Sequence, residues 1–150
     1  EAAPESQTRL LVNSPLNYAV RYPPGYDLFM YTETGLAIVK GSLLTSGQAR
    51  VDINVMPTTK LTVETLVVEL LSSYPGSKIT QTAMTIDGEP AVLLDGIPGQ
   101  EINRIVFVKH LDTMFKLNFV PADPQAGDAY KEMETLYKTV IESLDFEPQP

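Results

Sequence analysis

Alternation of apolar and polar residues predicts that most of this chain is β-structure. The clearest alternation lies over residues 50–56, where Val51, Ile53 and Val55 share one face of a strand and polar residues share the other. Similar runs, each bounded by turn residues, predict further strands over residues 18–22, 27–32, 36–44, 79–86, 90–94, 101–110 and 114–120.

Two segments change to the period of an amphipathic helix. Apolar residues recur every three or four positions over residues 62–74 and again over residues 127–144. Thr62 is a predicted N-cap of the first helix. In the second helix, Glu134 and Lys138 are predicted to pair on the solvent-exposed face because they are four residues apart.

The order of these elements predicts an α/β fold of the α+β kind. Successive strands are joined by short turns, of which Asp87-Gly88-Glu89 is the clearest, so the sheet should be mainly antiparallel. The segment 101–110 is apolar on both faces and therefore needs cover on both sides. We expect about eight strands flanked by the two helices in an α/β/α sandwich, with both helices on one face as the less favoured packing.

The two ends of the chain differ in composition from its middle. Residues 1–9 are small and polar, and the last four residues contain two prolines. We expect a flexible N-terminal tether over residues 1–15, a single domain over residues 16–146 and a C-terminal tail over residues 147–150. The length of 150 residues fits one domain.

Composition and charge exclude several classes of protein. The chain has no cysteine and a single histidine, which excludes disulfides, thiolate metal centres and multi-histidine metal centres. The net charge of −8 argues against nucleic acid or an anionic membrane as a partner. There is no Gly-x-Ser-x-Gly sequence and no glycine-rich phosphate loop. We therefore predict no catalytic residue, no metal site and no cofactor.

Two motifs suggest a family. The run Tyr18-x-Val20-x-Tyr22-Pro23-x-Gly25-Tyr26 resembles the opening strand and turn of PsbP-like and DcrB-like proteins, which share the Mog-type/PsbP fold. The closing segment, which ends Ser143-Leu144-Asp145-Phe146, is similar to the last helix of that family. Tyr26 stands where the family usually has tryptophan, and Leu144 stands where it usually has phenylalanine.

The resemblance covers residues 16–146 and carries implications for function. It implies a non-enzymatic accessory domain that lies outside the cytoplasm, of the bacterial lipoprotein type. The implied partner is another protein, and the implied contact with a membrane is only a lipid anchor upstream of residue 1. A fold alone does not fix a function, so these are expectations by analogy.

Five residues are candidates for binding. Tyr22, Tyr26 and Tyr31 belong to a cluster of aromatic residues that could form a recognition surface, although the alternation places most of these rings in the core. Arg104 lies among apolar residues, where it needs a carboxylate partner such as Glu101 or a helix residue, or could itself hold an acidic ligand.

The fifth candidate is His110, which precedes a tight turn. It is expected to be a surface residue hydrogen-bonded to Asp112, or else a general base or pH-sensing group. Beside the accessory domain, the sequence leaves a second function open. It is a module for a small ligand or a metal, with an aromatic-lined pocket between the sheet and a helix.

Overall fold

The computed structural model describes residues 1–42 and 46–149, and these residues form nine strands and two α-helices. The elements in chain order are β1 (Arg9–Asn13), β2 (Tyr18–Tyr22), β3 (Tyr26–Met30), β4 (Gly35–Lys40), β5 (Arg50–Met56), α1 (Val63–Ser72), β6 (Thr80–Ile86), β7 (Glu89–Ile97), β8 (Asn103–His110), β9 (Thr113–Val120) and α2 (Asp128–Ser143). Short 3-10 turns cover Glu5–Gln7 and Pro124–Ala126. No helix in the described part of the chain is long and apolar enough to cross a membrane.

Seven of the strands form one antiparallel sheet. Its spatial order is β3-β4-β5-β9-β8-β7-β6, so β5 and β9, which are far apart in sequence, lie side by side near the middle. Strands β1 and β2 form a separate antiparallel hairpin. The predicted antiparallel α+β sandwich is confirmed.

The larger core lies between the sheet and α2. Met133, Leu136 and Val140 of α2 are fully buried in one cluster with Leu117 and Phe119 of β9. The β1–β2 hairpin joins this layer through the inner side chains of β2. After α2, residue Asp145 returns to β2, and Ala19 and Asp145 exchange two backbone hydrogen bonds of 2.9 Å.

A smaller core lies on the opposite face, beneath α1. Val63 and Val67 of α1 pack in one cluster with Ile105 and Phe107 of β8. Because side chains alternate along a strand, Val106 and Val108 point to the other core. The two helices therefore cover opposite faces, as the doubly apolar segment 101–110 predicted.

The structure differs from the sequence-based expectations near the N-terminus and at the end of β4. Strand β1 and the turn before it lie inside residues 1–15, where a flexible tether was expected, because β1 finds a pairing partner in β2. The strand expected over residues 36–44 ends at Lys40, and the next residue, Gly41, has a φ of +96°. Residues 43 and 44 of that expected strand lie outside the described residues.

Candidate functional site

Arg104 is a buried cation that is neutralised by two carboxylates. It lies on β8 beneath α2 and is 6% exposed. Its Nη2 donates a 3.0 Å hydrogen bond to Oδ2 of Asp95 on β7, and its Nη1 forms an ion pair with Glu134 of α2. The guanidinium lies 4.7 Å from the ring centre of Tyr137, within the range of a cation–π contact.

This network confirms that Arg104 pairs with a residue from a helix, but it corrects two details. Glu101 is not among the partners that the structure shows for Arg104. Glu134, which was expected to pair with Lys138 on the solvent face, turns instead to Arg104 because a buried guanidinium needs a counter-charge.

The surroundings of Arg104 keep it charged. Burial by itself lowers the pKa of the guanidinium, but the hydrogen bond and charge of Asp95, together with Glu134, outweigh burial and raise it. An acidic ligand would have to displace two carboxylates that are already bound. Arg104 therefore holds β7, β8 and α2 together, and we do not place it in a binding site.

The three candidate tyrosines do not form one surface. Tyr22 and Tyr26 are 8% and 5% exposed and belong to the core beneath α2, whereas Tyr31 is 47% exposed. The Tyr26 hydroxyl donates a 3.4 Å hydrogen bond to the carbonyl oxygen of Glu132. Burial, and then the negative charge of Glu132, raise the pKa of Tyr26.

Tyr31 lies over a glycine on the neighbouring strand. A Cβ added to Gly35 would lie 2.7 Å from Cε2 of the Tyr31 ring, so the ring occupies the space that a larger residue would need. The Tyr31 hydroxyl donates a 3.3 Å hydrogen bond to Oδ1 of Asn54 on β5. The contact helps to bury Gly35 at the start of β4, which is a structural role.

His110 holds the segment that follows α2 against the end of β8. Its ring stacks on Phe146, with ring centres 5.2 Å apart and planes 9° apart, and its Nε2 lies 3.1 Å from Oε1 of Glu147. Its Nδ1 lies 3.7 Å from Oε1 of Glu89. The expected hydrogen bond to Asp112 does not form, because the returning chain places Glu147 closer to the ring.

Arg104 and His110 share one strand but lie at opposite ends of it. Six residues separate them, which corresponds to about 20 Å along a strand. Together with the dispersed tyrosines, this spacing shows that the five candidates do not meet in one site. In residues 1–42 and 46–149, moreover, no group of three or more histidine, cysteine, aspartate or glutamate side chains could hold a metal ion.

Sequence reasoning missed a group of exposed apolar side chains at one end of the sheet. The register brings the end of β3, the end of β5 and the β8–β9 turn together, at one end of the strands of the seven-stranded sheet. We define the apolar end as five exposed residues that lie there, with their exposed fractions: Val12 (49%), Met30 (62%), Met56 (37%), Leu61 (39%) and Leu111 (76%).

Leu111 is the most unusual residue of the apolar end. It is the first of the two residues that join β8 to β9, and its φ is +52°. This left-handed conformation favours glycine or asparagine and is unfavourable for leucine. A leucine there is the signal in the sequence that could have pointed to this end, because turns rarely place a large apolar residue in solvent.

An apolar cleft opens at the same end. It has a volume of about 640 Å³ and lies between the β1–β2 hairpin and the β3–β4 turn. Its walls are mostly apolar, and they are formed by Leu11, Val12, Asn13, Pro15, Leu16, Met30, Glu33, Thr34 and Pro57. Val12 and Met30 connect the cleft to the rest of the apolar end.

The pocket expected between the sheet and a helix has a counterpart beside α1. One groove of about 450 Å³ lies between α1 and β5, β8 and β9, and a second of about 420 Å³ lies between the start of α1 and β6 and β7. Phe107 is an aromatic residue in the wall of the first groove. Tyr26 lines a further cleft of about 300 Å³ beside α2, with Lys131, Glu132 and Thr135 of that helix. Tyr22 and Tyr31 line none of these three clefts.

Comparison of the whole structure with solved structures identifies the fold. The solution structure of cyanobacterial PsbP (CyanoP) from Synechocystis superposes with a TM-score of 0.60 at 9% identity, over 97% of this chain and 95% of that chain. A crystal structure from Bacteroides thetaiotaomicron superposes with a TM-score of 0.54 at 12% identity, over 95% of this chain but 50% of that one. No protein-family model and no curated protein sequence matches the chain. The chain has a PsbP-like fold, as the two motifs predicted.

Proposed function

We propose that this chain is a non-enzymatic accessory domain that binds another protein through its apolar end. The observation that carries the proposal is Leu111, a leucine that is 76% exposed in a backbone conformation unfavourable for it. An exposed side chain contributes little to the fold, and the left-handed conformation costs about 1–2 kcal/mol. The benefit that offsets this cost is a contact outside the chain.

The surroundings of Leu111 indicate what kind of surface it binds. Exposed apolar groups that gather at one end of a soluble domain are typical of protein interaction sites. Carboxylates lie close to them, since Glu33 lines the cleft and Asp112 directly follows Leu111. Lys109 also lies there, where its Nζ donates a 2.7 Å hydrogen bond to the carbonyl oxygen of Leu61. The partner surface should therefore be apolar at its centre and carry charges of both signs at its edge.

A substitution at Leu111 separates binding from folding. Leu111→Asn should raise the free energy of unfolding by about 1 kcal/mol, because asparagine tolerates the positive φ. The same variant should weaken binding of the partner at least tenfold. Met30→Asp should weaken binding with little effect on stability, since Met30 is 62% exposed.

The experiment begins with a photo-crosslinking residue placed at position 111 in the native cell. The same residue placed at position 68, on the exposed side of α1, is the control. A protein that is captured from position 111 but not from position 68 is identified and purified. Its affinity is then measured against the chain, Leu111→Asn, Met30→Asp and the control Val68→Asp, which is matched in exposure. Equal affinities for all four proteins would contradict the proposal.

We also propose that the domain acts outside the cytoplasm and is tethered by a lipid. The resemblance of the opening and closing motifs to PsbP-like and DcrB-like proteins supports this location. The sequence encoded upstream of Glu1 should then hold an apolar segment followed by a lipidated cysteine, and the protein should fractionate with the cell envelope. Recovery in the cytoplasmic fraction would contradict the proposed location but would not affect the proposal that the apolar end binds a protein.

A second candidate function is the binding of a small apolar molecule in the cleft. The volume of about 640 Å³ favours it, because ligand pockets commonly enclose 300–1,000 Å³. A ligand at 100 times its Kd should stabilise the fold by about 2.7 kcal/mol, a rise in Tm of roughly 5–11 °C for a domain of this size. A screen of apolar compounds without such a rise would leave the protein partner as the function.

A further inference from the structure

Strand β6 is an open edge of the seven-stranded sheet. It pairs with β7 on one side, and in the described residues no hydrogen bond from another segment reaches the main chain of its outer side. Five of its seven residues are exposed, namely Thr80, Gln81, Thr82, Ala83 and Thr85. An edge of this length offers a row of unpaired backbone groups to another strand.

The tight turn after β6 fixes which backbone groups face outward. Asp87 and Gly88 form a two-residue turn with positive φ angles, so Ile86 and Glu89 close the hairpin as a hydrogen-bonded pair. Alternation along the strand then directs the N–H and C=O groups of Gln81, Ala83 and Thr85 away from β7.

This edge lacks the features by which proteins usually prevent strand pairing. The segment from Ile79 to Ile86 contains no charged residue and no proline. The bulge in β7 lies between Asp95 and Ile97, beyond the end of the β6 pairing, so it does not bend this edge away. The opposite edge is different, because β3 has only five residues, carries Asp27 and follows two prolines.

We propose that β6 pairs with β6 of a second copy of this chain, antiparallel about a two-fold axis at Ala83. In this register all seven residues pair: Ala83 faces Ala83, Gln81 faces Thr85 and Thr80 faces Ile86. The outward groups of Gln81, Ala83 and Thr85 then meet one another, as an antiparallel ladder requires. The product is one continuous sheet across the two copies, with an isologous interface.

Charge favours a second copy over an unrelated strand. No like charges oppose each other anywhere along the uncharged strand. At its ends, Lys78 falls opposite Gly88 of the second copy and therefore next to Asp87, and symmetry repeats this favourable contact at the other end. The interface uses neither the apolar end nor the cleft, so it does not depend on the proposed function.

The test uses charges placed on the two-fold axis. Ala83→Lys and Ala83→Glu each place like charges face to face, so each variant alone should sediment as a monomer of 16.5 kDa. The chain itself should sediment at twice that mass as its concentration rises. An equimolar mixture of the two variants should restore the dimer, because Lys then faces Glu. The control Val68→Lys, with the same added charge on α1, should dimerise as the chain does.

Hydrogen exchange on the unmodified chain provides a second measurement that does not depend on whether the variants fold. Amide protection at Gln81, Ala83 and Thr85 should rise with protein concentration, whereas the amides of Thr82 and Met84, which already face β7, should not change. A monomer at every concentration, a dimer that persists in Ala83→Lys, or protection of Gln81, Ala83 and Thr85 that appears only with a different protein would overturn the proposal.

Discussion

Single residues in this fold act mainly by neutralising a buried charge or by filling space in the core. Arg104 shows how much of this can be predicted from sequence: a charge among apolar residues must be paired, and it is. Its partners could not be predicted, because Asp95 and Glu134 come from β7 and α2, whose positions depend on the whole fold. Tyr22 and Tyr26 were predictable as core residues because alternation along a strand reports burial, whereas Tyr31 is exposed.

Removing Arg104 should therefore be costly. Arg104→Ala leaves the carboxylates of Asp95 and Glu134 without their cation. Loss of one member of a fully buried ion pair costs about 3–5 kcal/mol, and the loss here should be smaller because these two side chains are 34% and 28% exposed to water. Denaturant unfolding at neutral pH measures the loss against Arg9→Ala, an exposed arginine on β1. A loss no larger than that of the control would show that the network does not stabilise the fold.

Tyr26 should make the fold sensitive to alkali. Burial and the charge of Glu132 raise its pKa in the folded state, whereas in the unfolded chain it ionises at the ordinary value of 10.0. The unfolded chain then binds fewer protons above pH 10, so this contribution to stability is complete below pH 10 and is lost as the pH rises further. Between pH 9 and pH 11, the free energy of unfolding should fall less steeply with pH in Tyr26→Phe than in the unmodified chain. An equal fall in both proteins would contradict the prediction.

At the scale of elements, local signals worked where apolar residues mark the buried face and failed where they do not. The helix α1 was predictable from its period and from Thr62, whose hydroxyl accepts a 3.1 Å hydrogen bond from the backbone N–H of Thr65. Strand β1 was not, because its polar and apolar residues do not follow its buried and exposed faces. Leu10 and Val12 are exposed, whereas the polar residue Asn13 is buried, so the pattern of alternation is absent. Pairing with β2, which no local signal reports, makes it a strand.

The cap of α1 should be measurable. Thr62→Ala removes the acceptor for the Thr65 N–H and should lower the free energy of unfolding by about 1 kcal/mol. Thr62→Ser keeps an acceptor oxygen, so its free energy of unfolding should fall by only about a few tenths of 1 kcal/mol. If both variants lost equal stability, the methyl group of Thr62 rather than its hydroxyl would be the stabilising part.

The whole molecule is built of two unequal layers on one sheet. The α2 layer includes a long helix, the β1–β2 hairpin and the returning segment at Asp145, whereas the α1 layer rests on a small cluster with a groove on each side. Two helices on opposite faces could be predicted from the doubly apolar segment 101–110. The central pairing of β5 with β9 could not be predicted, because a local pattern of residues does not indicate which distant segment a strand will contact.

The two layers should unfold locally at different free energies. The smaller cluster beneath α1 predicts that its backbone amides exchange hydrogen through local openings, at lower free energy than those of β8 and β9. Native-state hydrogen exchange in low denaturant measures both. If α1 exchanged only with global unfolding, the two layers would form one cooperative unit.

The pair of backbone hydrogen bonds between Ala19 and Asp145 has a consequence for how the chain is made. A strand near the start of the domain is completed by a residue near the end of the domain. The core beneath α2 cannot close during translation until residues 145 and 146 have left the ribosome, so the apolar strands of the domain stay exposed until then. Folding of this domain should thus await its last residues, and a chaperone that binds the domain during its synthesis meets an open chain.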